Sequence, residues 1–367
     1  MDYSLETTRR KENLLRAVRN LQVKSESTLQ KASPLLSSHQ GMGMVKECHI
    51  QQLAEKTKVI CHDLENIKNL LYFRQNNLVL QIPNPNGSRY GQISRIHCSL
   101  DGTAYVTSEN GPWVHLLNRS GQAFQSLQCV DWGREKEHFL PEDVTVTRSG
   151  MVAVSDMLNG VIRIFNPHSK FSQGDWIKIG KFDSPRGIGV DSMGRILVAD
   201  YTQGKVHIFA VDHAFKVQGV HVISDLCGPR YVSSVPDGGF VVSEECGDVK
   251  YFGGSHRLIC SISNKYGYQF GNPAGVCTDP EGNIIVADEQ QRQVVLFPVS
   301  GSPVCLVSEG LRRPTGVSCS SFGHLLVADA GENCVKVFKY KVKPYSNPES
   351  PRIASENSNL SPRERLR

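Results

Sequence analysis

Pro185-Arg-Gly-Ile-Gly-Val190, followed closely by Gly194-Arg-Ile-Leu-Val-Ala-Asp200, decides the fold. Two short apolar runs separated by a glycine-bearing turn read as a β-hairpin. Gly194 supplies the positive φ that side chains with a Cβ resist. After a short loop, Val206-His-Ile-Phe209 reads as a third strand, and a weaker run from Phe215 to Val222 as a fourth.

The same landmarks recur outward from this stretch. Pro141, Pro185, Pro229, Pro273 and Pro314 are spaced by 44, 44, 44 and 41 residues. A glycine stands nine residues after each: Gly150, Gly194, Gly238, Gly282 and Gly323. An acid stands fifteen after each: Asp156, Asp200, Glu244, Asp288 and Asp329. Ile93, Gly102 and Ser108 form a degenerate sixth copy with the same offsets. Four strands per unit of this length make one propeller blade, and a blade buries its faces only by stacking on its neighbours. The expectation is all-β: a closed six-bladed β-propeller over residues 77–342, behind an α-helical segment.

The last repeat has Leu325-Leu-Val-Ala-Asp329 and Val335-Lys-Val-Phe338 and then reaches Pro344 without a fourth strand. Upstream of the first repeat lies the strand-like run Leu78-Val-Leu-Gln-Ile82. Residues 78–82 are therefore expected to close the ring as the outer strand of the last blade, removing the exposed edges.

Residues 1–76 carry helical spacing. Ile50, Leu53, Thr57, Ile60, Leu64, Ile67 and Leu71 step as the a/d positions of a coiled coil, and Leu14, Val18 and Leu21 form a shorter stripe. A helical hairpin, helices packed on the propeller and a zipper that makes a homodimer all fit. Residues 343–367, rich in Ser, Pro, Asn and Arg, are expected to be disordered.

Charge is spread unevenly. Lys+Arg number 12 against 8 Asp+Glu in residues 1–76, 5 against 3 in 343–367, and 24 against 25 in 77–342. A near-neutral central domain argues against broad electrostatic attraction to nucleic acid or anionic membrane. The start, Met1-Asp2-Tyr3-Ser4-Leu5-Glu6, has no secretory or transit pattern and no run is long and apolar enough to span a bilayer, so a cytoplasmic location is expected. The 11 cysteines include no Cys-x-x-Cys pair and mostly fall in apolar strand-like runs, where Cys acts as a small buried hydrophobe.

Gly275-Val-Cys-Thr-Asp-Pro-Glu-Gly-Asn-Ile-Ile-Val-Ala-Asp288, and Thr315-Gly-Val317 running to Asp329 with Cys334-Val-Lys-Val-Phe338 behind, resemble NHL repeats. Helices followed by six such repeats resemble the C-terminal half of tripartite-motif NHL proteins. Ligases of that family open with a RING finger and a B-box, whereas Cys48, Cys61, His39, His49 and His62 are too few and wrongly spaced for either zinc module.

The resemblance implies that the loops after the acid and before the proline share one face, which holds the partner. Carried over by position, that face presents Arg186, Arg230, Tyr231, Tyr201, Glu245, Glu289, Arg292, Arg312 and Arg313. The recurring acids are expected to accept hydrogen bonds from loop amides, a scaffold role. Expected partners are proteins, among them full-length relatives or ubiquitination substrates. The alternative is single-stranded RNA, held by arginines on phosphates and aromatics under bases. Glu142, Asp143, Glu245, Glu289 and Glu332 on the same loops would oppose phosphate. Propeller enzymes are the third class, but His97, His115, His138, His168, His207, His213, His221, His256 and His324 do not recur at one repeat position. No catalytic residue, metal site or cofactor is expected.

Overall fold

The computed structural model describes residues 78–87, 89, 91–131, 137–167 and 176–340. The helical segment expected over residues 1–76 and the tail expected over 343–367 lie outside the described residues.

Six four-stranded antiparallel sheets follow one another around a ring. Their inner strands are Ile93–Cys98, Pro141–Val146, Pro185–Val190, Pro229–Ser234, Pro273–Thr278 and Pro314–Cys319. The strand Leu78–Pro83 pairs antiparallel with Cys334–Lys339, so the first strand among the described residues is the outer strand of the sixth blade.

The core is divided into six apolar layers, each shared by two adjacent blades. Ile188, Ile196 and Val198 of the third blade pack on Ala153, Ile162 and Ile164 of the second. The neighbouring residues Leu197 and Ala199 face the other way, against Val232, Phe240 and Val242 of the fourth blade. Strand period two explains this split, and burial on both faces explains why the second strands read as continuous apolar runs. The sixth layer joins Ile82, Val335 and Val337 to Ile93, Ile96 and Val106, closing the ring through side chains as well as backbone. Each fully buried valine or isoleucine contributes about 1.5–3 kcal/mol.

The hairpin glycines adopt positive φ, Gly194 at 82° and Gly238 at 91°. A short helix, α1 (Ile262–Tyr266), follows the outer strand of the fourth blade. The Ser261 side chain caps its N-terminus, Gly267 ends it in a left-handed conformation, and Ile262 enters the layer between the fourth and fifth blades.

Every inner strand carries a register shift just after its first residue, between Pro185 and Ile188 in the third blade and between Pro229 and Tyr231 in the fourth. A bulge re-aims side chains at a sheet end. Here it places the residues following each proline around the mouth of the central channel.

Candidate functional site

The recurring acids organise the loops at this end of the ring. Asp200 accepts hydrogen bonds from the backbone amides of Asp183 (3.1 Å) and Ser184 (2.9 Å). Asp288 does the same for Gly271 and Asn272, and Asp329 for Arg312 and Arg313. Glu244 holds the Cys227 amide at 2.8 Å. Asp156 instead takes the Asn159 amide and the Arg163 guanidinium. Three of these acids also hold a cation from the neighbouring third strand: Asp156 with Arg163 (2.7 Å), Glu244 with Lys250 (2.9 Å) and Asp329 with Lys336 (2.7 Å).

The bulges then assemble a charged collar. Arg95 lies over the Tyr231 ring, 3.7 Å from its centroid, and 3.6 Å from the Glu142 carboxylate. The Tyr231 hydroxyl donates to Glu142 at 3.1 Å. Arg230 donates to Glu289 (3.3 Å) and to the Asn272 side chain (2.7 Å). Arg313 reaches Glu109 at 3.0 Å and Glu289 at 3.7 Å, tying the sixth blade to the first and fifth. Beside this group, the Arg186 guanidinium covers the Tyr201 ring at 3.9 Å, and the Tyr201 hydroxyl donates to Glu245. The Nε atoms of Arg95, Arg186 and Arg230 are buried with no hydrogen-bond partner.

Arg230, Tyr231, Glu289 and Arg313 are thus brought together, with Arg186, Tyr201 and Glu245 alongside. Arg292 stands apart in an exposed left-handed turn, and Arg312, largely exposed, faces Glu332 at the rim. One expectation needs correcting. Arg230 and Tyr231, read from position as docking side chains, are only 8% and 3% exposed. Their ion pair, cation–π contact and hydrogen bonds hold the collar together, so changing Arg230 would damage stability as well as recognition. Sequence reasoning missed Arg95, Glu109 and Asn272. Arg95 had a signal, because it stands two residues after Ile93 as Tyr231 stands two after Pro229.

Below the collar the inner strands of all six blades line a cavity of about 310 Å³. His97 lines it, and burial pushes its imidazole down to about 4. His207 is instead a packing residue, edge-on to Phe182 and 3.9 Å from Asp200. Among the described residues no group of three or more His, Cys, Asp or Glu is placed to hold a metal ion.

Burial raises the Asp143 carboxyl to about 6, against the opposing effects of the Ile188 and Val144 amides and Arg95. A carboxyl raised on folding binds its proton first in the folded state. Its contribution to stability therefore grows as pH falls through about 6 and levels off near the unfolded value of about 4. Thermal unfolding of the wild type and of Asp143→Asn should show the difference moving in favour of the wild type between pH 7 and pH 4. A constant difference would mean that Asp143 is not held in this way.

No protein-family model matches the chain. The chain is 57% identical over 113 residues to mouse NHL-repeat-containing protein 4, covering 31% of this chain and 83% of that protein. It is 25% identical over 250 residues to mouse E3 ubiquitin-protein ligase TRIM32, covering 63% of this chain. The match spans 38% of TRIM32's length. A solved gluconolactonase from Xanthomonas campestris superposes with a TM-score of 0.52 at 12% identity, over 71% of this chain and 97% of the other, a likeness of fold alone. Among the described residues no helix is long and apolar enough to cross a membrane. With six repeats closed into one ring and a relative matched over most of its length at more than half identity, the chain belongs to the NHL-repeat proteins.

Proposed function

We propose that the loop face docks a protein segment and that the chain serves as an interaction scaffold or substrate-recognition adaptor in ubiquitin-dependent turnover. One observation carries this reading. Four arginines of the face are already matched by carboxylates on the same face: Arg95 by Glu142, Arg230 and Arg313 by Glu289, Arg313 also by Glu109 and Arg312 by Glu332. A phosphate backbone needs cations that are free to replace its counterions. A mixed-charge face with an aromatic and arginine anchor, Tyr201 under Arg186, suits a protein partner. The similarity to TRIM32, whose name is that of a ubiquitin ligase, supports the link to ubiquitination. On this reading residues 1–76 supply association with a second copy or with a full-length relative, and the chain works in the cytoplasm.

The test is proximity labelling in cells followed by pull-down with the full chain. Arg186→Glu combined with Tyr201→Ala should weaken capture by at least tenfold, about 1.4 kcal/mol, with the chain still folded and only a small fall in Tm. Undiminished capture would show that the partner binds elsewhere. A random single-stranded RNA pool at physiological salt should give no saturable binding. Submicromolar, sequence-selective binding lost in the same double variant would replace the protein reading with an RNA one.

A further inference from the structure

The fourth blade differs from its neighbours at one pair of positions on the loop face. The residue two before the proline and the residue two after the acid are Gly271 and Gln290 in the fifth blade, and Arg312 and Gly331 in the sixth. A Cβ placed on Gly271 would stand 3.0 Å from the Gln290 Cβ, and one on Gly331 would stand 2.6 Å from the Arg312 Cβ. In the fifth and sixth blades these two positions are pressed together and one of each pair is a glycine, whereas the third blade carries Asp183 and Thr202 there. In the fourth blade both positions carry a cysteine, Cys227 and Cys246. Bonded cysteines have Cβ atoms about 3.8 Å apart, so the loop geometry suits a disulfide.

The local contacts agree with that placement. The Cys227 amide donates to Glu244 Oε1 at 2.8 Å, and the Cys246 thiol lies 3.7 Å from Oε2 of the same carboxylate. The Glu245 amide donates to the Gly228 carbonyl at 3.0 Å, so Cys227 and Cys246 flank a directly paired position of the two loops. Both cysteines are exposed, in contrast to the buried role expected for this residue type in the sequence.

We propose that Cys227 and Cys246 form a dithiol modification site that closes to a disulfide across the rim of the fourth blade. One thiolate attacks a low-molecular-weight disulfide, forming a mixed disulfide and releasing one thiolate. The second cysteine then displaces the remaining small thiol, leaving the Cys227–Cys246 bond. Two protein thiols are oxidised, one small disulfide is reduced to two thiols, and the two protons pass to the departing thiolates. Burial first, with Glu244 and Cys227 adding to it, pushes the Cys246 thiol up to about 11. Closure is therefore slow at neutral pH and faster as pH rises, and a poor leaving thiolate slows reopening.

The experiment incubates the native full chain with oxidised glutathione, alkylates remaining thiols, digests with trypsin and maps the peptides. Cleavage after Lys216, Arg230 and Lys250 separates the pair, with Cys227 alone on residues 217–230 and Cys246 alone on 231–250. The expected result is joint loss of the two singly alkylated peptides and gain of one linked species, with the yield rising between pH 7 and pH 8.5. Cys227→Ser and Cys246→Ser should each abolish the link and leave a glutathione adduct on the surviving cysteine. Separate glutathione adducts on both cysteines of the wild type, free alkylation of both, or linkage confined to Cys277 and Cys319 would overturn the proposal. The last pair lies 3.8 Å apart, sulfur to sulfur, and lines the channel.

Discussion

Replacing Lys336 by Met should cost the propeller about 3–5 kcal/mol, the penalty for leaving a buried charge without its partner. The Lys336 ammonium lies 2.7 Å from Asp329 and 2.7 Å from Glu332, and also donates to the Gly310 carbonyl. Asp329 is 0% exposed, and its remaining partners are the amides of Arg312 and Arg313. These contacts sit in the blade that closes the ring, so their loss loosens the one junction made by strands from opposite ends of the described chain. Met keeps most of the apolar volume of the lysine stem, which confines the change to the charge.

The pH dependence of this loss has a definite sign. Burial acts to raise the Asp329 carboxyl, but the hydrogen bond from Lys336 and the two loop amides outweigh it and hold the group below its ordinary value. A depressed carboxylate contributes stability above its unfolded value of about 3.9, and that contribution is lost as pH falls through its folded value. Thermal unfolding at pH 7 should show the full difference between wild type and Lys336→Met, and the difference should shrink below about pH 4. A variant that melts with the wild type at pH 7 would show that water or other groups replace the ammonium.

Gly187→Ala should be the other large effect, about 3 kcal/mol or more, since overpacking against backbone cannot be relieved by a rotamer change. A Cβ at Gly187 would stand 2.4 Å from the Tyr231 Cα and 2.7 Å from the Arg230 carbonyl oxygen. The inner strands of the third and fourth blades would have to separate, and the shift would reach Arg230, Tyr231 and the collar they form. Gly150→Ala is the contrast, because its φ is positive at 79°, unlike that of Gly187, and a Cβ there meets nothing within 4 Å. Gly150→Ala should cost only the backbone strain, about 1–2 kcal/mol. Equal melting of the two variants would show that the inner strands can yield.

The repeat was legible in the sequence because its requirements are local. A hairpin glycine needs a positive φ set by its own turn, and an acid such as Asp200 captures amides only 16 and 17 residues away. Blade count and ring closure follow from those landmarks together with the unpaired run at Leu78–Ile82. The short helix α1 was not legible, because five residues leave no helical periodicity to read.

The collar was only partly legible. Positional carry-over found Arg186, Tyr201, Arg230, Tyr231, Glu289 and Arg313 but could not separate docking side chains from structural ones. That separation depends on partners far along the chain: Glu142 for Tyr231, Glu289 for Arg230 and Glu109 for Arg313, the last pair 204 residues apart. An arginine in isolation reads as a free cation, and only ring closure brings up the carboxylate that neutralises it. Cys227 and Cys246 follow the same logic, because the spacing of their loops is a property of the folded blade. Blade number, strand order and the anchoring acids were thus written in the chain, where each depends on a few neighbouring residues. Burial, ion pairing and the free chemistry of the loop face came from tertiary structure, because each depends on which blades the closed ring brings together.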